Sequence, residues 1–261
     1  MLLQYAGRTD VGQKRSVNED AFCAVDAYGL YVVADGMGGH RAGDIASKLA
    51  TESIRDFFEA TSREDATWPF DFDPNLSVSQ NRLMGAIKLA NRRIFDASTQ
   101  RKEAQGMGTT VVGALFSPIE GRMYIAHVGD SRAYRIREGA IEALTRDHSL
   151  VNDYLLLMPP LSESQRRELP QNVITRALGM QESVVVDMCD DHSKAGDLYV
   201  LCTDGLTNML SDEAVLCIAK RHPNDLDALA TALIDEANRE GGDDNITVVL
   251  CRCIDEDASQ A

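Results

Sequence analysis

The sequence predicts an α+β fold in one domain, with antiparallel sheets and helices packed outside them. Strand patterns come in consecutive groups and helix patterns in consecutive pairs, which is not the βαβ alternation of a parallel sheet. At 261 residues and 44% apolar content, the chain can bury one sizeable core. Its apolar stretches, such as Leu30 to Ala34 and Leu198 to Cys202, fall far short of the ~20 residues that cross a bilayer.

Apolar runs that alternate or are rich in β-branched residues mark strands at Gln4 to Gly7, Ala21 to Asp26, Leu30 to Ala34, Thr109 to Phe116 and Arg122 to Val128. Further strands follow at Ala133 to Arg137, Val184 to Met188, Leu198 to Cys202 and Ile246 to Cys253. Helical spacing covers Ala42 to Ala60, through Ile45, Leu49, Ile54, Phe57 and Phe58, and Gln80 to Thr99, through Leu83, Ile87, Ile94 and Phe95. Two more helices span Asp212 to Lys220 and Leu226 to Arg239, with Ser211 and Asn224 placed as N-caps and Gly241 as a stop. Thr61 to Ser79 and His148 to Val173 look peripheral. The second, with Met158-Pro159-Pro160 and a short helical pattern from Ser162 to Leu169, reads as a flap excursion over about residues 148–175.

The 26 basic residues against 41 acidic ones give a net charge of −15, which argues against a nucleic acid or an anionic membrane as partner. Met1-Leu2-Leu3-Gln4-Tyr5 lacks the basic and apolar regions of a signal peptide, so a cytoplasmic chain is expected. The six cysteines contain no C-x-x-C and mostly sit in apolar runs, as free thiols in a reducing compartment would. Cys251 and Cys253 share a strand face, but no further ligands have zinc-site spacing.

Three apolar runs end on an aspartate followed by Gly or Ser: Ala34-Asp35-Gly36, Gly129-Asp130-Ser131 and Thr203-Asp204-Gly205. A fourth acidic pair, Asp243-Asp244-Asn245, precedes the last strand. Each alone reads as a turn. Together, at the ends of strands of one sheet system, they predict carboxylates converging on a common rim, where a cation must neutralise them. Oxygen-only donors select Mg²⁺ or Mn²⁺ over zinc or iron, and magnesium meets protein through few carboxylates plus substrate phosphate. Phosphoryl chemistry by an ion-held hydroxide follows as the leading reading. There is no G-x-x-x-x-G-K-[ST], and Gly36-Met37-Gly38-Gly39 lacks the third glycine of a dinucleotide fingerprint. Arg15, beside Asn18-Glu19-Asp20, supplies a guanidinium suited to bidentate phosphate recognition.

In these residues the chain resembles a bacterial protein phosphatase 2C, the metal-dependent Ser/Thr phosphatase family. The matching segments run in family order: Arg15 to Asp20, Val33 to His40, Gly108-Thr109-Thr110, Val128 to Arg132, Thr145 to Ser149, Cys202 to Leu206 and Asp243 to Thr247. The resemblance implies a four-layer α-β-β-α sandwich, two central antiparallel sheets flanked by helix pairs. It implies that Asp35 bridges two core Mn²⁺ or Mg²⁺ ions, that Gly36 offers its carbonyl to one, and that Asp204 and Asp244 bind the other. Glu19 and Asp20 would hold metal-bound waters, Arg15 would grip the phosphate, Asp130 with Asp204 would form a weaker third site, and Asn245 would support the ligands. Gly108, Thr109, Thr110 and Ser131 are assigned to packing and turn geometry. Met37 occupies the position where eukaryotic members carry a histidine proposed as general acid. His40 is the imidazole left to serve there, and His148 is expected to be structural. The implied activity is hydrolysis of phosphoserine and phosphothreonine on proteins by a monomer, opposing a Ser/Thr kinase. A catalytically silent phosphatase-like binding module and a small-molecule phosphoesterase are the alternatives.

Overall fold

Strands that are apolar on both sides set the architecture. The computed structural model describes residues 1–38, 42–62, 72–100, 104–157, 170 and 173–255. The strands are β1 (Leu2–Asp10), β2 (Asp20–Val25), β3 (Leu30–Met37), β4 (Gly108–Thr109), β5 (Val111–Ser117), β6 (Arg122–Val128), β7 (Arg132–Arg137), β8 (Ala140–Ala143), β9 (Asp187–His192), β10 (Leu198–Cys202) and β11 (Ile246–Ile254). The helices are α1 (Ala42–Ala60), α2 (Val78–Gln100), α3 (Leu150–Leu157), α4 (Asp204–Thr207), α5 (Asp212–Arg221) and α6 (Leu226–Glu240). One sheet runs β1-β11-β10-β7-β8 and the other β2-β3-β5-β6-β9, with β4 added to β3. The strand pairs are antiparallel.

Alternation along each strand builds the layers. On β3, Leu30, Val32 and Ala34 join the core under α1 and α2. Tyr31 and Val33 turn instead into the layer between the sheets, where they share a cluster with Tyr199 and Leu201 of β10 and Val249 and Cys251 of β11. Leu198, Val200, Val248 and Leu250 of the second sheet face a third cluster with Val215, Ile218, Leu229 and Leu233 of α5 and α6. This is the expected sandwich, and its three apolar layers explain why β3, β10 and β11 read as continuous hydrophobic runs. The six cysteines carry free thiols.

The structure corrects several sequence expectations. The strand expected over Val184 to Met188 is β9, Asp187–His192. It is polar because Arg122, Arg135 and Arg137 pair with its Asp190 and Asp191, so charge complementarity replaces the apolar signal. Thr109 to Phe116 splits, β4 pairing with Gly36 and Met37 and β5 with β3 and β6. Asp225, not Asn224, caps α6 by accepting from Ala228 N at 2.9 Å. Ile45 is exposed, because the small Ala42, Ala46 and Ala50 turn α1 toward the sheet. Ser211 and Gly241 act as expected. At the base of the 148–175 excursion, Ser149 bridges Ile174, Leu150 N donates to Val173 O, and Thr175 N donates to His148 O. Half of that excursion, including Met158-Pro159-Pro160 and Ser162 to Leu169, lies outside the described residues, as does His40.

Candidate metal centre and active site

The register that buries Tyr31 and Val33 between the sheets carries Asp35 to the same face, at the rim of that layer. Across the ladder Asp35 pairs with Asp20 of β2. Side chains directly opposed in this way approach to about 4.5–5.5 Å at Cβ, and like charges there repel. From the other sheet, the β10–β11 ladder ends at Cys202 and Val248, which delivers Asp204 at the start of α4 and Asp244 just before β11. Asp130 joins them from the β6–β7 turn. The four aspartate positions expected from strand ends are thus brought to one corner.

Burial is what makes that corner chemically distinctive. Asp20 Oδ2 accepts hydroxyl hydrogen bonds from Thr203 at 2.9 Å and Thr247 at 2.7 Å. Asp20 Oδ1, Asp130 Oδ1 and Asp204 Oδ1 are buried with no hydrogen-bond partner. Desolvation pushes the Asp20 carboxyl up to about 7, against the pull of the two threonines and with the charges of Asp204 and Asp244 adding to it. Asp130 also rises to about 7, through burial and then the charge of Asp204. Asp35 is held well above the usual carboxylate range by burial, then by Asp20 and Asp204, and Asp204 is raised by burial and Asp244. Glu19 is raised by burial, with Arg15 opposing. Orphaned carboxylate oxygens in a repulsive, oxygen-only corner fit hard divalent cations.

Backbone packing fixes these groups. Gly36 N donates to Glu19 O at 3.1 Å, and Ser47 Oγ donates to the same carbonyl at 2.6 Å. A Cβ on Gly36 would come 2.1 Å from Gly43 O, so no larger residue fits at this bend. Thr109 Oγ1 and Thr110 N both donate to Asp35 O, at 2.7 and 2.8 Å, and Asp35 N donates to Thr110 Oγ1 at 3.2 Å. Thr110 is joined in turn to Ser131 beside Asp130, hydroxyl to hydroxyl at 2.6 Å. Asn245 ties the N-terminal loop to the site: its Oδ1 accepts from Glu19 N at 2.7 Å, and its Nδ2 donates to Val11 O and Val17 O at 2.9 and 3.0 Å. Arg15 lies at the exposed mouth, donating to Asp244 Oδ2 at 2.7 Å.

Sequence reasoning missed a second network. His148 Nδ1 accepts from Gly129 N at 3.0 Å, and its buried Nε2 lies 3.1 Å from Asp187 Oδ2 as a close charge contact rather than an aligned hydrogen bond. Asp187 also pairs with Arg176 at 2.7 Å, and Arg176 and His148 hold its carboxyl below the usual range despite burial. The ring of His127 stacks on His148 at 4.6 Å, and its Nε2 contacts Arg146 O at 2.8 Å. Potential ligand atoms of His127, His148 and Asp187 all fall within 4.8 Å of one another. Stacked rings direct their in-plane lone pairs side by side rather than at one point, and each of the three residues already has a partner, so this is a hydrogen-bonded brace. It joins the base of the 148–175 excursion to the turn that carries Asp130. The aspartate corner is less tightly drawn in, as suits cations that keep several waters. Thr203 and Thr247 were equally unassigned, though both lie in the motifs around Asp204 and Asp244.

Comparison with known proteins places this architecture. The protein phosphatase 2C family matches residues 10–250. The serine/threonine phosphatase stp of Listeria monocytogenes is 36% identical over 251 residues, 93% of each chain. The crystal structure of the Mycobacterium tuberculosis serine/threonine phosphatase PstP/Ppp superposes with a TM-score of 0.83 at 32% identity, over 98% of this chain and 100% of that one. The PstP catalytic domain in complex with two manganese ions gives a TM-score of 0.78 at 32% identity, covering 97% of this chain and 99% of that one. Fold and sequence together are those of a metal-dependent protein phosphatase. The chain belongs to the protein phosphatase 2C family, and it is a protein-serine/threonine phosphatase that depends on divalent metal.

Proposed function

We propose that Asp20, Asp35, Asp130, Asp204 and Asp244 form the centre at which this chain hydrolyses phosphoserine and phosphothreonine on proteins, reversing a Ser/Thr kinase of the same cell. The three buried, unpartnered carboxylate oxygens of Asp20, Asp130 and Asp204 support this reading above all. We assign Asp35, the carboxylate that feels Asp20, Asp204 and Asp130 together, to two Mn²⁺ or Mg²⁺ ions at once. The Gly36 carbonyl would complete one ion, and Asp204 with Asp244 the other. Glu19 and Asp20 would order their waters, and Asp130 with Asp204 would hold a weaker third ion. When bound, such ions polarise the phosphoryl oxygens and supply a water nucleophile at neutral pH.

The protein's own groups do the rest. Arg15 swings its fork from Asp244 to the substrate phosphate, as a guanidinium at an exposed mouth can. Asn245 keeps Glu19 in place through its three bonds. The Thr203 and Thr247 hydroxyls hold one Asp20 oxygen so that the other faces the centre. His40 is assigned to protonate the leaving alkoxide. We further propose a cytoplasmic monomer. A net charge of −15 disfavours nucleic acid, and no described helix is long and apolar enough to cross a membrane.

Phosphate release from a phosphothreonine peptide, measured with EDTA, Mn²⁺ and Mg²⁺, tests the assignment. Turnover that EDTA abolishes and either ion restores is expected. Metal binding without turnover would instead fit a silent phosphatase-like binding module.

A further inference from the structure

Beside the catalytic corner lies a cavity of about 450 Å³ whose lining includes Met37, Ile174, Arg176, Met180, Val184 and Val185. We infer that it is a subsite for an apolar side chain of the protein substrate, two residues from the phosphorylated one. This rests on the reading of the corner as the phosphatase centre.

Continuity with that centre is the first reason. Met37 directly follows Gly36 on β3, and at about 3.3 Å per strand residue it stands about 7 Å along the chain from Asp35. An extended substrate has the same spacing, and its residues two apart point to one side. A peptide with its phosphate at Asp35 therefore directs the side chain two positions away into the space beyond Met37. The far wall is anchored to the same bend. Gly108 pairs with Met37 across β4, and a Cβ on Gly108 would come 3.2 Å from Met180 Sδ.

Exposure is the second reason. Met180 and Val185 are 56% and 69% exposed. Two large apolar side chains open to water at one cavity mark a recognition surface rather than scattered surface residues. The cation in the lining, Arg176, is occupied by Asp187 at 2.7 Å, so it offers an acidic side chain little. Across the base of the excursion the character reverses. Ser149, the bridge partner of Ile174, lines a separate cavity with Asp130, Arg132, Asp147 and Asp204. There Arg132 is forked onto Asp147 at 2.8 and 2.7 Å. One flank of the centre thus presents large apolar side chains among the polar Thr175, Gln181 and Ser183, and the other presents charged and polar groups, which gives a bound peptide a direction.

The test is a panel of phosphothreonine peptides with Leu, Ala or Asp placed two residues before or two residues after the phosphothreonine, with p-nitrophenyl phosphate as the small reference substrate, all with Mn²⁺. At one of the two positions Leu should exceed Asp by about tenfold in kcat/KM, equivalent to about 1.4 kcal/mol, with the difference mainly in KM. Val185→Asp and Met180→Asp, both at exposed positions, should lower the ratio of Leu-peptide to p-nitrophenyl phosphate kcat/KM by a similar factor. A flat panel, or a Leu preference untouched by both substitutions, overturns the subsite. Hydrolysis of p-nitrophenyl phosphate with no peptide turnover at all overturns the protein-phosphatase reading of the corner and the subsite with it.

Discussion

Asp20 and Asp35 stand directly opposite each other on neighbouring strands, two acids where a ladder ordinarily places partners that attract. Burial raises Asp20 from 3.8 to about 7 and Asp35 well above its ordinary range. Without metal the folded chain therefore keeps protons that the unfolded chain has released between about pH 4 and pH 7. The stability these protonated groups contribute is full below the unfolded value and is lost as pH rises through the folded one. Cations replace those protons. The gain in Tm from Mn²⁺ over EDTA should widen between about pH 5.5 and pH 8, read by scanning calorimetry. A gain independent of pH would contradict the raised values.

Arg15 competes with cations for Asp244, which it holds at 2.7 Å. Arg15→Ala should raise the KM for a phosphopeptide by about tenfold or more, as loss of a charged hydrogen bond implies, and lower kcat less. Arg15→Lys should recover only part of this, because a point charge lacks the fork. Titration calorimetry should find Mn²⁺ affinity in Arg15→Ala undiminished. Weakened metal binding would show that Arg15 supports the centre rather than the substrate.

Asp35→Ala removes the carboxylate assigned to both core ions, so kcat should fall by about three orders of magnitude or more, corresponding to about 4 kcal/mol. Asp130→Ala should lower turnover while two tightly bound ions remain countable by elemental analysis. Equal loss of both ions in the two variants would place Asp130 among the primary ligands.

His148 contacts Gly129 and Asp187 at once. His148→Ala leaves the buried Gly129 N–H without its acceptor, a loss of about 1–3 kcal/mol. At ~2–4 °C per kcal/mol for a chain of this size, Tm should drop by several degrees, while the two tight ions remain bound. An unchanged Tm would mean that the brace contributes nothing to the Asp130 turn.

Asp35, Asp130 and Asp204 were legible in the sequence because each sits where a hydrophobic run breaks into an acid and a turn residue, and Asp244 because its acidic pair immediately precedes the last strand. The partnership of Asn245 with Val11, Val17 and Glu19 was not, since those backbone groups come together only once β1 has paired with β11. Thr203 and Thr247 were hidden for the same reason, a strand-end threonine being unremarkable until an acid from the other sheet lies against it. Cys189 to His192 escaped strand assignment because arginines from β6 and β7, not apolar packing, hold that edge. Antiparallel sheets with helices outside were readable from strands apolar on both faces and helices apolar on one, whereas the four-layer sandwich came from the family resemblance.

The groups that quiet Asp20 are far from it along the chain: the Thr203 and Thr247 hydroxyls lie 183 and 227 residues downstream. On a ribosome, β2 and β3 emerge and can form their hairpin while none of these groups yet exists. In the nascent hairpin the two opposed acids still stand in water, without the burial that raises them in the finished fold. β11 completes the centre, since the segment leading into it supplies Asp244 and Asn245 and the strand itself supplies Thr247. A product of interrupted synthesis or proteolysis that ends at residue 243 contains all six described helices but lacks the central strand β11 and the proposed ligand Asp244, so hydrolytic activity should be conferred only once translation has passed that point.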